Sequence, residues 1–229
     1  MICFQEVGEC ELAALRSHAL SQSHRLFWVP NALSSASQKN GVATLLSHAT
    51  MDVVEQTALQ LGGTTGAALV RCRRRLDGAC AELVVLNCHL DYGGDVAARQ
   101  VREAAHALDG AQCGGAPPRL LWCGDFNVPP NAAAMATVRD ELRFADVFGF
   151  SNSPTSALGG DRGAGARLDY VLYKGPRLTP AAAPRPGLCG RGAVLPTFSG
   201  LEDLLRAAGS DHVPLAVAFD LEAGDGEAP

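Results

Sequence analysis

Leu120-Leu121-Trp122-Cys123-Gly124-Asp125-Phe126-Asn127 is the stretch on which the reading of this chain turns. Its opening residues form a short apolar run closed by a glycine, the pattern of a strand buried on both faces. Two polar side chains follow, Asp125 and Asn127, with an aromatic ring between them. Groups that do chemistry usually lie on loops at the strand ends of a rigid sheet, so an acid and an amide here are candidate site residues. Alone, the pair is also an ordinary turn signature.

Working outward, the same arrangement recurs. Gln5-Glu6 closes the apolar run Ile2-Cys3-Phe4, and Asn87-Cys88-His89 closes a run that starts at Leu83. Ser210-Asp211-His212 precedes the apolar stretch from Leu215 to Phe219. Arg167-Leu168-Asp169-Tyr170 sets a carboxylate inside an otherwise apolar strand. Each has a plain structural reading: Glu6 as a surface acid, His89 as a satisfied polar residue, Asp169 as a partner for a backbone N–H. Their joint occurrence, in this order, is what those separate readings do not supply.

The elements between the clusters alternate irregularly. Residues Glu9 to Ser23 carry leucines and alanines at helical spacing, and Asp95 to Leu108 reads as a helix with Asp95 as N-cap and Gly110 near its end. Leu26 to Val29, Gly41 to Leu46, Ala67 to Cys72, Leu83 to Leu90 and Leu168 to Tyr173 read as strands. Arg73 to Gly78 is a turn-rich link that makes an antiparallel pair of its flanks. Ala132 to Leu142 suits a short helix. Two stretches rich in Gly, Pro and Ala, Ser151 to Ala166 and Pro176 to Gly192, read as loops. One domain over residues 1–221 and a disordered tail over 222–229 are expected. Mixed helices, hairpins and buried strands favour a layered α/β sandwich over a doubly wound sheet.

Bulk properties narrow the function. A net charge of −5 gives no general attraction to nucleic acid or to anionic membranes, so a bound polyanion must meet a local basic patch or a metal ion. The arginines at 71, 73, 74 and 75 could form such a patch, or a solvated hairpin tip. Aromatic residues are only 6% of the chain, so a base-stacking surface is not obvious. The eight cysteines include no CxxC pair. Those in apolar runs read as buried small hydrophobes of a reducing, intracellular compartment rather than as zinc ligands or disulfides. No run is long and apolar enough to span a bilayer.

Taken together, Cys3-Phe4-Gln5-Glu6-Val7, Asn87-Cys88-His89-Leu90, Cys123-Gly124-Asp125-Phe126-Asn127, Arg167-Leu168-Asp169-Tyr170-Val171 and Ser210-Asp211-His212-Val213-Pro214-Leu215 resemble the successive motifs of the endonuclease/exonuclease/phosphatase (DNase I-like) superfamily. The resemblance implies an α/β fold, a four-layer α/β/β/α sandwich of two mixed sheets with the site at the strand ends. It also implies hydrolysis of a phosphate ester with a divalent metal, Mg²⁺ or in its place Mn²⁺. Family members carry an earlier strand with an asparagine, so the resemblance further implies that this first strand is missing here.

By the same pattern Glu6 and Asp211 are the expected metal ligands. Asp125 would orient or deprotonate the attacking water, and Asn127 would hold it or the phosphate. His212, its tautomer fixed by Asp169, would bond the phosphate or move a proton. His89 would donate to a phosphate oxygen or the leaving group. Mg²⁺ prefers hard oxygen ligands and keeps several waters, so one or two carboxylates suffice. The expected substrate is a nucleic-acid phosphodiester, as for a nuclease or deadenylase-like enzyme. Small or lipid phosphate esters are the alternative, and a non-catalytic binding module is the alternative of another class.

Overall fold

The computed structural model describes residues 1–18, 20–32, 40–76, 79–111, 118–150, 154–156, 165–181, 212, 215 and 217–221. Asp211 and the tail over 222–229 lie outside the described residues, as does most of both Gly/Pro-rich stretches.

Six strands form the main sheet. They are β4 (Met51–Leu61), β5 (Thr65–Leu76), β6 (Ala79–His89), β7 (Leu120–Asp125), β8 (Ala145–Asp146) and β9 (Asp169–Lys174), in the order β4-β5-β6-β7-β9-β8. Only β6 and β7 run parallel; the other ladders are antiparallel, so the sheet is mixed. The parallel step needs a crossover, and helix α3 (Gly94–Gly110) supplies it. Its Ala97, Gln100, Val101, Ala104, Ala105 and Leu108 are buried, a stripe at helical spacing laid against the sheet. Gly93, not Asp95, is the N-cap, and Asp95 sits in the first turn.

A smaller sheet of β1 (Ile2–Phe4), β3 (Gly41–Ser47) and β2 (His24–Pro30) is antiparallel throughout. It packs on the other face of the main sheet, burying Leu46, Val70, Cys72, Leu83, Val85 and Leu121 with Cys3 and Phe27. Helix α1 (Glu9–Ser17) covers the outer face of the small sheet through Leu12 and Leu15, against Phe4, Ala43 and Trp28. Four layers result, helix, sheet, sheet, helix, as the sequence implies.

The larger core lies between the main sheet and α3. Trp122 is fully buried there, with its ring centroid 5.1 Å from that of Phe126 and 5.6 Å from that of Phe144. Phe126 in turn meets Tyr170 edge-on at 5.2 Å. These rings floor the strand ends. Burial also pushes the Cys72 and Cys88 thiols up to about 12, which leaves them protonated packing groups.

Several elements differ from the sequence reading, among them strands β4 and β8, which it did not contain. The helix expected over Glu9 to Ser23 stops at Ser17 and resumes as a short α2 (Leu20–Ser23). The expected helix over Ala132 to Leu142 is a single α turn, α4 (Ala133–Ala136), widening into a π turn at Thr137–Glu141. Within the stretch read as a loop, β10 (Leu178–Pro180) pairs with β11 (Phe219–Leu221), so the last strand falls later than Leu215 to Phe219. The arginine run, read as a basic patch or a solvated hairpin tip, lies along β5: Arg71 pairs with Glu55, Arg73 with Glu82 and Arg75 with Asp52, while Arg74 donates to the Thr50 carbonyl. Three of its four charges are thus offset by acids.

Candidate active site

The register of the main sheet assembles the site. His89 lies opposite Asp125 across β6 and β7, and Asp125 lies opposite Asp169 across β7 and β9. Residues directly opposite one another share a face of the sheet, so three side chains line up in one row at the strand ends. Gly124 permits this approach. It adopts φ +149°, and a Cβ there would sit 1.9 Å from the Cys88 carbonyl oxygen. Any side chain would force β6 and β7 apart just beneath the row.

Around that row the distances are short. Asn127 Nδ2 donates to the Leu90 carbonyl at 2.8 Å, which fixes its amide, and reaches His89 Nε2 at 2.9 Å. With the amide nitrogen donating, the His89 Nε2 nitrogen accepts, while Nδ1 is buried with no hydrogen-bond partner among the described residues. Asn127 adopts φ +52°, a left-handed turn that asparagine tolerates, and its N–H donates to Asp125 Oδ1 at 2.8 Å. His212 Nδ1 lies 2.8 Å from Asp169 Oδ2, and its Nε2 lies 3.8 Å from Asp125 Oδ2. An ionised Asp169 selects the tautomer with the proton on Nδ1 and leaves Nε2 facing Asp125. Glu6 reaches the same place from the small sheet: its Oε1 lies 3.9 Å from His89 Nε2, which is itself 3.6 Å from Asp125 Oδ2.

Electrostatics in the row are costly. Burial, then the neighbouring Asp169 carboxylate, push Asp125 up to about 6, partly offset by His89, the Asn127 N–H and His212. A divalent cation fits this donor set. Asp125, Asp169 and His212 offer ligand atoms within 4.8 Å of one another, and Glu6 adds a carboxylate two-thirds exposed at the rim. Clustered carboxylate oxygens suit a hard ion, and its charge would relieve the crowding that raises Asp125.

Of the residues expected from sequence, Glu6, His89, Asp125, Asn127, Asp169 and His212 converge here. Asp211 lies outside the described residues. The supporting groups were given no role by the sequence, although Asn87 and Arg167 stand within its motifs. Asn87, fully buried, donates from Nδ2 to the carbonyls of Phe4 and Ala43 and to Thr44 Oγ1, while its Oδ1 accepts from Gln5 Nε2 at 2.7 Å. It thus ties the main sheet to the strand end that delivers Glu6, whose backbone holds an unfavourable φ of +55°. Thr155 Oγ1 accepts from the N–H groups of Leu168 and Asp169, each at 3.0 Å. Arg167 pairs with Asp146 at 2.7 Å, both side chains buried, and stacks over the rings of Phe148 and Tyr170. A polar residue inside an apolar strand, as Asn87 is, was the one available signal.

Fold and site together define an α/β/β/α sandwich with an acidic, imidazole-lined cleft at its strand ends. The chain belongs to the endonuclease/exonuclease/phosphatase family, whose model matches residues 1–212. Members of this family hydrolyse phosphate esters. Among solved structures, the catalytic domain of human Nocturnin with bound sulfate is 18% identical, with a TM-score of 0.67, covering 96% of this chain and 80% of that one. A family protein from Bacteroides vulgatus is 14% identical at TM-score 0.71, covering 96% and 84%. ANGEL2, described as a 2′,3′-cyclic phosphatase in complex with adenosine-2′,3′-vanadate, is 16% identical at TM-score 0.66, covering 96% and 81%. A comparison with curated proteins found no match.

Proposed function

We propose that this protein is a Mg²⁺-dependent phosphodiesterase acting on nucleic acid. The observation that carries the reading is the convergence of Glu6, His89, Asp125, Asn127, Asp169 and His212 on one cleft. The metal, held by Glu6 with a second carboxylate of the cluster, would neutralise phosphate oxygens and favour attack at phosphorus.

The chain's own groups supply the rest. Asp125, once ionised, accepts a proton from the attacking water and aligns it. The Asn127 amide nitrogen is already engaged by the Leu90 carbonyl and His89 Nε2, which leaves its Oδ1 to accept from that water and hold it. A His212 that enters the cycle protonated, with its Nδ1–H bonded to Asp169, faces the phosphate through Nε2–H and can give that proton to the leaving oxygen as its bond to phosphorus breaks. His89, accepting from Asn127 at Nε2, holds that amide in place beside Asp125. A nucleotidyl substrate is supported by the structural neighbour bound to adenosine-2′,3′-vanadate. It is compatible with an acidic chain only if the cation screens the phosphate.

The test is hydrolysis of single-stranded RNA and DNA oligonucleotides, with Mg²⁺ and then with EDTA. His212→Ala should lower turnover by roughly two orders of magnitude or more with an unchanged circular dichroism spectrum. Undiminished activity in EDTA, or in the His212 variant, would sink the mechanism.

A further inference from the structure

Tyr92 stands apart from the other aromatic residues. Its side chain is 85% exposed, whereas the remaining described rings are packed in cores or half-buried. A lone exposed ring is ordinary on a protein surface. What precedes this one is not. The His89 ring meets Asn127 at 2.9 Å. The Leu90 N–H donates to the Asp125 carbonyl at 2.8 Å, and the Leu90 carbonyl accepts from Asn127 at 2.8 Å. The Asp91 N–H donates to Gln100 Oε1 at 2.8 Å, and its carboxylate accepts from Gln100 Nε2 at 2.9 Å and from Thr64 Oγ1. Gln100 is itself fully buried in α3.

Three consecutive residues are thus fastened, His89 and Leu90 to Asn127 and Asp125 and Asp91 to Gln100 and Thr64, and the next side chain projects into solvent. Beyond it the chain is stripped of bulk: Gly93, at φ +120°, and Gly94 each have nothing within 4 Å of the place a Cβ would occupy. The ring stands on a rigid stem with open space beside it. Tyr92 is two residues past the carbonyl that Asn127 grips. Two residues reach at most roughly 7 Å, so the ring is carried on backbone that stays close to Asn127 and the Asp125 carbonyl.

We propose that Tyr92 is a stacking platform for a base flanking the scissile phosphate, which makes it a specificity-determining residue of the site. The inference rests on the proposed phosphodiesterase reading and narrows its substrate to one with a planar base next to the cleaved bond. Every base presents a π-face, so such a platform favours nucleotidyl over sugar or lipid phosphates without selecting sequence. An aromatic ring also binds at small entropic cost because it has few rotatable bonds.

The experiment compares the wild type, Tyr92→Ala and Tyr92→Phe on a single-stranded oligonucleotide and on the same strand with abasic sugars flanking the cleavage position. On the intact strand, Tyr92→Ala should lose about tenfold or more in kcat/KM, mostly through KM, and Tyr92→Phe should keep wild-type values. On the abasic strand the wild type should fall to the level of Tyr92→Ala, and the substitution should cause no further loss. Equal kcat/KM for wild type and Tyr92→Ala on the intact strand, or an equal proportional loss on both strands, would overturn the platform while leaving the phosphodiesterase reading in place. A wild type inert on both strands with Mg²⁺ would overturn both.

Discussion

Replacing Asp125 with asparagine separates what this side chain does for the reaction from what it costs the fold. The substitution keeps shape, and its amide oxygen can still accept from the Asn127 N–H that now meets Oδ1 at 2.8 Å. What it removes is a charge held in the interior beside a second carboxylate. The carboxyl is pushed from an ordinary 3.8 to about 6, first by burial and then by Asp169. At about 1.4 kcal/mol per tenfold change, that difference is worth about 3 kcal/mol. The sign follows from which state binds the proton more tightly. Between 3.8 and about 6 the unfolded chain has released it while the folded protein still holds it. Stability is therefore fully present below 3.8, falls as pH rises through about 6, and stays reduced above. Against the 5–15 kcal/mol typical of a domain, the loss is a large fraction. Urea unfolding in EDTA at pH 8 should show Asp125→Asn more stable than wild type by up to about 3 kcal/mol. The gap should close towards pH 4, and turnover with Mg²⁺ should fall by roughly two orders of magnitude or more. A variant equal to or weaker than wild type at pH 8 would show that the ionised carboxylate is already compensated within the protein, and the argument for a cation to relieve it would go.

Two further perturbations test the surroundings. Asp146→Ala leaves the Arg167 guanidinium, 1% exposed, without its carboxylate, and should cost about 3–5 kcal/mol in urea unfolding; a change below about 1 kcal/mol would mean that Arg167 is satisfied elsewhere. Asp169→Asn removes the charge that helps raise Asp125 and the acceptor that orients His212. The acid limb of the kcat/KM profile should move to lower pH while its plateau drops, whereas a limb that stays in place would detach Asp169 from Asp125.

Sequence made some parts of this molecule legible and hid others for physical reasons. Strands buried on both faces, such as β3 and β7, announce themselves as unbroken apolar runs. Strand β4 does not, because it lies at an edge of the main sheet with one face in water and carries Glu55, Gln56 and Gln60 among its apolar residues. Its pairing with β5 follows the turn at Gly62 and Gly63, which composition alone did not single out. The side chains of the candidate site were legible because they stand in or beside apolar runs: Glu6, His89 and Asp125 follow one, Asp169 lies inside one and His212 precedes one. Their supports were not, since the roles of Asn87, Thr155 and Asp146 depend on partners that only the folded chain brings near. Asn87 bonds to atoms more than forty residues away, and Thr155 is an ordinary loop residue until β9 lies beside it.

Charge explains why the two kinds of residue belong together. Three carboxylates, from Glu6, Asp125 and Asp169, meet in a cleft far from the β5 arginines, of which Arg71, Arg73 and Arg75 pair with Glu55, Glu82 and Asp52 and Arg74 with the Thr50 carbonyl. Left to themselves these acids repel both one another and an incoming phosphate. The repulsion is held in place by neutral, saturated groups: Asn87 locks the strand that carries Glu6, Thr155 caps the N–H groups around Asp169, and the Asn127 amide is anchored to backbone. A flexible site would let Asp125 reach water and titrate in its ordinary range. A rigid one keeps it beside Asp169 and His212, and so gathers more ligand atoms for a small, highly charged cation than a single carboxylate offers.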